Sequence, residues 1–235
     1  MKKFTVLFSA LSIAFLSSCS NNDTDPQLSH DLRQPTSYLK SYTLKKNTSG
    51  SYYIDFDLEE NSKVDSYKNT DLSNDLVISE GSNTAARSNS TALELNDDVL
   101  KVNILETNNG KKTRIIVEDD EVTKARGITE FLNNYSISKN EDDSYNLKFQ
   151  VNTNVQTEFI FNEDTNTHEI HLSLGTATVQ NFSRDLKMTN GRLEIGFINH
   201  KEDGASNAAN RANRSLEKPN KPKIVIFYDG SSSVE

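Results

Sequence analysis

The sequence predicts an all-β fold, either an antiparallel sandwich or an up-and-down barrel built from hairpins. Apolar and polar residues alternate with period two in segments such as 52–58 and 145–151, which is typical of strands with one buried face. All four prolines lie outside the stretch 36–218, and proline is rare within paired strands. The long proline-free stretch therefore has room for many strands in succession.

Turn residues predict the register of two hairpins. Asn190-Gly191 and Asn109-Gly110 favour two-residue type I′ loops. In both hairpins the resulting register sets apolar residues opposite apolar residues and a lysine opposite a glutamate. The predicted pairs are Met188 with Leu193, Leu186 with Ile195 and Lys187 with Glu194 around the first turn, and Ile104 with Ile115, Val102 with Val117 and Lys101 with Glu118 around the second.

Other segments complete the predicted order of strands. A four-residue loop, 163–166, sets Phe159 opposite Ile170 and Phe161 opposite His168. Further predicted strands are 38–46 paired with 50–58, 135–138 paired with 144–151, and a last strand at 224–228. One short helix is a possible exception over 121–135, where Ile128, Phe131, Leu132 and Tyr135 have helical spacing.

The first residues of the chain have the features of a secretory signal. Lys2 and Lys3 precede an apolar stretch, 4–16, which is too short to span a bilayer, and small residues follow it. The segment Leu16-Ser17-Ser18-Cys19 resembles the lipobox of bacterial lipoprotein precursors. That resemblance implies cleavage before Cys19 and attachment of acyl groups to Cys19, the only cysteine in the chain.

The resulting organisation is a signal peptide at 1–18, a lipidated flexible tether at 19–36 and a single β domain at 37–235. Long loops are expected at 79–91 and 201–222. Asp23 and Asp25 follow the cysteine closely and resemble a signal that exports some lipoproteins to the cell surface. We therefore expect a lipid-anchored outer-membrane protein, displayed at the cell surface rather than on the periplasmic face.

Composition and spacing exclude several kinds of chemistry. The 34 acidic residues outnumber the 26 basic residues, which argues against nucleic-acid binding. A single cysteine forms no internal disulfide and no thiolate metal site. His168 and His171 are three apart in a predicted strand and therefore point to opposite faces; His171 is expected on the outer face opposite Glu158, and His168 beside Phe161. No nucleophile motif is present, so we assign no catalytic, cofactor or metal residues.

Charged clusters have ordinary structural explanations. The acidic runs 118–121, 141–143 and 163–164 follow predicted strands into turns, where aspartate makes local hydrogen bonds; a calcium site would need them to converge. Asp55 and Asp57 belong to the solvated side of a strand. The loop 201–222 carries a local basic excess, which is interpreted as a solvated linker, with a contact to an acidic glycan or partner as the alternative. Its basic residues are Arg211, Arg214, Lys218 and Lys221.

Together these features predict a membrane-anchored, non-catalytic binding or accessory module at the bacterial envelope, with a protein or glycan partner. The absence of tryptophan weakens a sugar-binding role, although tyrosines can substitute as stacking platforms. One alternative is a β-barrel carrier of an apolar small molecule. Another is a structural subunit of a surface assembly that exchanges the strand 224–228. The candidate tyrosines are Tyr42, Tyr52, Tyr53 and Tyr67.

Overall fold

The computed structural model describes residues 37–81, 89–119, 131–178, 180–200 and 222–229. These residues form fourteen β-strands and no helix. In chain order the strands are β1 (Leu39–Lys46), β2 (Tyr52–Leu58), β3 (Ser62–Lys68), β4 (Asn74–Glu80), β5 (Asn89–Leu93), β6 (Val99–Glu106), β7 (Lys112–Glu118), β8 (Leu132–Lys139), β9 (Tyr145–Val151), β10 (Val155–Asn162), β11 (Thr167–Leu174), β12 (Asn181–Leu186), β13 (Arg192–His200) and β14 (Lys223–Asp229).

The strands form two sheets. The six-stranded sheet has the order β12-β9-β8-β1-β2-β5, and the eight-stranded sheet has the order β10-β11-β13-β14-β7-β6-β4-β3. All pairs are antiparallel except β4 with β6 and β11 with β13. Both sheets end in edge strands, so the predicted all-β fold is confirmed as a sandwich and not a closed barrel.

Alternation along the strands places one side of each sheet in a shared core. Leu44 and Ile137 from the six-stranded sheet and Ile115 and Ile224 from the eight-stranded sheet are fully buried. Apolar residues of both sheets belong to one contiguous cluster. The space between the sheets is therefore occupied by packed side chains, whose burial stabilises the fold by about 25 cal/mol per Å² of apolar surface.

Several predicted hairpins are confirmed. Phe159 lies opposite Ile170, and Phe161 lies opposite His168. β1 pairs with β2, which confirms the predicted pairing of 38–46 with 50–58. β8 pairs with β9, which confirms the predicted pairing of 135–138 with 144–151. The last predicted strand is β14, which lies between β13 and β7 in the interior of the eight-stranded sheet.

The register predicted around Asn109-Gly110 is wrong by two residues. Val102 lies opposite Ile115, Ile104 opposite Thr113 and Lys101 opposite Ile116. The loop has four residues, 107–110, because Asn109 accepts a hydrogen bond from the Lys111 amide at 2.9 Å and Gly110 adopts the left-handed backbone. A shift of two residues leaves every side chain on its predicted face.

The hairpin predicted at Asn190-Gly191 is also wrong, although its turn forms. Asn190 and Gly191 both have positive φ, and Thr189 and Arg192 form a bridge across them. The chain then separates: Leu186 pairs with Tyr145 in the six-stranded sheet, and Ile195 pairs with Ile224 in the eight-stranded sheet. The predicted pairs around this turn do not form, because each arm finds its partners in a different sheet.

The short helix considered for 121–135 is wrong over its last residues, which belong to β8; residues 120–130 lie outside the described ranges. A β-bulge between Leu132 and Asn134 explains the helical spacing. The bulge adds a residue to one strand, so Leu132 and Tyr135 are both buried despite their odd separation.

The second seven strands repeat the connections of the first seven. In each half a hairpin in the six-stranded sheet is followed by a hairpin in the eight-stranded sheet. The chain then returns to the six-stranded sheet with β5 or β12, which pairs with β2 or β9. It ends with a strand parallel to β4 or β11 and a final antiparallel strand. The domain is thus built from two equivalent halves, 37–119 and 131–229.

Local details repeat as well as connections. The β-bulge at Leu132/Asn134 recurs at Leu39/Ser41. Residues 38–58 and 131–151 align without a gap and share identical residues at equivalent positions. These are Leu39 and Leu132, Tyr42 and Tyr135, Lys46 and Lys139, Asn47 and Asn140, Ser51 and Ser144, Tyr52 and Tyr145, and Phe56 and Phe149.

A pseudo-twofold axis relates the halves. β1 pairs with β8 around Leu44 and Ile137, which are equivalent residues. β7 pairs with β14 around Ile116 and Val225, which are also equivalent. The two halves are therefore joined through both sheets at their centres, as the subunits of a symmetric dimer would be.

Candidate functional site

The outer face of the six-stranded sheet is almost entirely polar, and we call it the polar face. Alternation turns the apolar residues of these strands inwards and leaves mainly hydroxyl, amide and charged side chains outside. From β12 to β5 the outward residues are Asn181, Ser183, Asp185, Asn146, Lys148, Gln150, Asn134, Ser136, Ser138, Ser41, Thr43, Lys45, Tyr53, Asp55, Asp57, Ser90 and Ala92.

A shallow depression of about 330 Å³ lies in the polar face where β8, β9 and β12 run side by side. Its polar lining comes from Asn134 and Ser136 of β8, Lys148 and Gln150 of β9, and Asn181 and Ser183 of β12. The depression is open to solvent and surrounded by groups that both donate and accept hydrogen bonds.

Part of this lining is already hydrogen-bonded. The Asn134 amide donates to Gln150 Oε1 at 2.8 Å, and Ser183 bonds to Asn146 beside the depression. Within the described residues, Ser136 and Lys148 make no side-chain hydrogen bond or ion pair. The depression thus offers a rigid amide pair beside an uncompensated ammonium group.

The equivalent place in the first half has the opposite charge and is satisfied internally. Asp55 occupies the position equivalent to Lys148 and forms an ion pair with Lys45. Burial favours the neutral acid, but hydrogen bonds from Lys45 and Ser90 and the Lys45 charge outweigh it and lower the pKa of Asp55. In the second half the residue equivalent to Lys45 is Ser138, which bonds to Thr43 at 3.0 Å and brings no charge to Lys148.

A buried polar chain connects the halves inside the sandwich. Lys46 Nζ lies 2.8 Å from Asp119 Oδ2, and both side chains are buried. The Tyr52 hydroxyl donates to Asp119 at 2.6 Å, and the Tyr135 hydroxyl donates to Tyr52 at 3.1 Å. Removing one member of such a buried pair typically costs about 3–5 kcal/mol, so this chain has a structural explanation.

The second half contains the counterpart of this chain. Tyr42 and Tyr145 bring their hydroxyl oxygens within 3.4 Å of each other. Lys139 pairs with Asp143 at 2.5 Å, and its ammonium lies 5.6 Å from the centre of the Tyr228 ring. Burial raises the pKa of Tyr145 to about 12 and raises the pKa of Tyr42 well above its usual value. Tyr228 stands where the first half has Asp119.

The histidines lie where the sequence placed them, with one additional interaction. His171 lies opposite Glu158, and the His168 ring packs 4.8 Å from Phe161 on the other face. His171 is buried rather than solvated: its Nδ1 lies 2.8 Å from His200 Nε2 and its Nε2 lies 3.1 Å from Glu169. Sequence spacing could not predict this contact, because His200 reaches β11 only through the parallel pairing of β13.

The acidic runs do not converge within the described residues, where no group of three or more candidate ligands could hold a metal ion. Asp119 bonds to Lys46, Asp143 pairs with Lys139, and Asp142 accepts bonds from Ser144 in a turn. Glu163 and Asp164 lie in the β10–β11 loop. Residues 120 and 121 lie outside the described ranges.

Two of the four tyrosines expected as stacking platforms cannot contact a ligand. Tyr42 and Tyr52 are buried in the core. Tyr67 is exposed on β3, and Tyr53 is half-buried on the polar face. The basic residues of the loop 201–222 lie outside the described ranges, as do Cys19, the signal peptide and the tether, so those assignments stay predictions.

Among the described residues there is no helix of the length and apolarity required to cross a bilayer. No protein-family model, curated protein or solved structure matches the chain. Among the described residues, the polar face and its depression form the candidate binding surface.

Proposed function

We propose that this chain is a lipid-anchored protein of the bacterial outer membrane, displayed at the cell surface. Its β-sandwich acts as a non-catalytic binding or accessory module. Cys19 carries the lipid, and the tether 19–36 connects Cys19 to the β domain. Two or three acyl chains suffice for stable anchoring, because each buried methylene contributes about 0.8 kcal/mol.

The observation that carries the binding role is the polar face. Hydroxyl and amide groups from all six strands are held on one sheet, where recognition requires little loss of conformational freedom. A depression in that face concentrates these groups. A glycan or an extended polar segment of an envelope protein would be recognised by hydrogen bonds to such a surface.

The two alternatives have less support from the geometry. A carrier of an apolar molecule needs a lined interior cavity, whereas the space between the sheets is occupied by packed core residues. A subunit that exchanges its last strand is favoured only by the position of β14, which lies between β13 and β7 at the centre of the eight-stranded sheet.

The anchoring part of the proposal is tested with Cys19→Ala in the full-length precursor. We expect loss of labelling by a fatty-acid analogue and release of the protein from the membrane fraction. Ser20→Ala is the matched control and should keep both properties. Membrane-associated, labelled protein in the Cys19→Ala variant would overturn this part.

The binding part is tested by placing a photo-crosslinking residue at Ser136 on the polar face. Asn103, on the outer face of the eight-stranded sheet, is the control position. We expect an envelope component to be captured from intact cells at Ser136 and not at Asn103. Equal capture at both positions, or none at either, would contradict the role of the polar face.

A further inference from the structure

The two halves of the domain carry opposite charges at one equivalent position of the polar face. Lys148 and Asp55 are related by the pseudo-twofold axis, and each lies between two hydroxyl-bearing neighbours: Ser136 and Ser183 flank Lys148. Asp55 is neutralised by Lys45 within the sheet. Lys148 has no such partner among the described residues, and the depression opens around it.

We propose that the depression binds a saccharide unit that carries an anionic group, with Lys148 as the residue that holds the charge. This inference rests on the proposed binding role of the polar face and names its ligand class. The ammonium of Lys148 supplies a charge-assisted hydrogen bond. Ser136, Ser183 and the Asn134–Gln150 amide pair supply the donors and acceptors that sugar hydroxyls need.

The polar face continues beyond the depression, across the strands from β9 to β2. A continuous row of paired residues runs across the strands from Lys148 through Ser136 and Lys45 to Tyr53. Neighbouring strands lie about 4.8 Å apart, so the row spans roughly 14 Å, enough for a short oligosaccharide. Tyr53 is the aromatic side chain at its far end, and an aromatic ring provides a stacking surface for a sugar ring.

The geometry therefore predicts two subsites with different requirements. The Lys148 subsite recognises the anionic group of any ligand that fits the depression. The Tyr53 subsite contributes only when the saccharide is long enough to reach across four strands. Charge and length can consequently be tested separately with one protein.

The experiment measures binding of the full mature chain in detergent to oligogalacturonates by calorimetry. Their methyl esters have the same backbone without the charge, and mannose 6-phosphate distinguishes phosphate from carboxylate as the anionic group. We expect the trimer or tetramer to bind and the methyl ester to bind at least about tenfold more weakly. Binding of the phosphosugar alone would assign the anion as phosphate within the same proposal.

Two variants and a control locate the site. Lys148→Gln should weaken binding of every anionic saccharide at least about tenfold, and Tyr53→Ala should weaken binding of the oligomers but not of galacturonate monomer. Lys112→Gln makes the same change in charge on the opposite sheet and should leave affinity unchanged.

The proposal is overturned if no anionic saccharide binds, if the methyl esters bind equally well, or if Lys148→Gln and Lys112→Gln behave alike. Capture of an envelope protein at Ser136 together with no saccharide binding would overturn this inference and leave the binding role of the polar face intact. Failure of both experiments would remove the binding role as well.

Discussion

Four tyrosine hydroxyls lie inside the sandwich, and their burial makes the fold sensitive to alkali. Burial raises the pKa of Tyr145 to about 12, and it also raises the pKa values of Tyr42, Tyr52 and Tyr135 well above the usual value. An unfolded tyrosine has a pKa of about 10. The folded protein therefore holds these protons more tightly, and their contribution to stability is complete below about pH 10 and is lost as the pH rises above that value.

We expect the free energy of unfolding to fall steeply between about pH 10 and 12. Urea unfolding at a series of pH values measures this slope, and phenolate absorbance follows ionisation directly. Part of the absorbance change should appear only when circular dichroism reports unfolding. The double variant Tyr42→Phe/Tyr145→Phe should reduce the part of the absorbance change that accompanies unfolding. Tyr67→Phe, at an exposed position, should leave that part unchanged. Ionisation of all eight tyrosines before unfolding would contradict the prediction.

At the scale of elements, the two Asn-Gly turns place their glycines in different surroundings. Both Gly110 and Gly191 have φ of +69°, which costs an ordinary residue about 1–2 kcal/mol. A Cβ on Gly110 would have nothing within 4 Å, whereas a Cβ on Gly191 would lie 2.8 Å from the Tyr228 carbonyl oxygen. The Gly191 carbonyl also accepts a hydrogen bond from the Tyr228 amide.

Gly110→Ala should therefore destabilise the protein by about 1 kcal/mol and Gly191→Ala by about 3 kcal/mol, since only the second also forces β14 to move. Chemical denaturation of the two variants measures the difference. Equal losses would show that the contact between the turn and β14 is relieved at no cost.

At the scale of the whole molecule, the pseudo-twofold axis predicts that the chain tolerates circular permutation. Residues 119–131, thirteen in number, connect Glu118 at the end of β7 to Leu132 at the start of β8. By symmetry Phe227 of β14 and Leu39 of β1 are equivalent to Glu118 and Leu132. A linker of nine residues between residues 229 and 37 gives a connection of the same thirteen residues, and the chain is then opened within 120–130.

This permutant should keep the β circular dichroism spectrum and a single cooperative transition, with a free energy of unfolding within about 2 kcal/mol of the parent, because all strand pairs are retained. A permutant with the same linker but opened within the loop 163–166 separates β10 from β11, which belong to one half, and should lose more stability. The opposite order of stability would argue against two equivalent halves as the structural units.

The sequence by itself determined the fold class, the faces of the strands and the pairing of three hairpins, β1 with β2, β8 with β9 and β10 with β11. Alternation is a local property, so Asp55 and Asp57 were correctly expected on the solvated side of their strand. The short loop 163–166 likewise left one register for Phe159 and Ile170. These features depend on residues that are near one another in the chain.

Only the tertiary structure decided which strands become neighbours. Leu186 and Ile195 flank one turn yet belong to different sheets. A β-bulge in β8 places Leu132 and Tyr135 on the same face, at a separation that is also typical of a helix. The row from Lys148 to Tyr53 and the pseudo-twofold axis both arise from pairing between distant segments. Such pairing is governed by the packing of two complete sheets around one core, which no local pattern encodes.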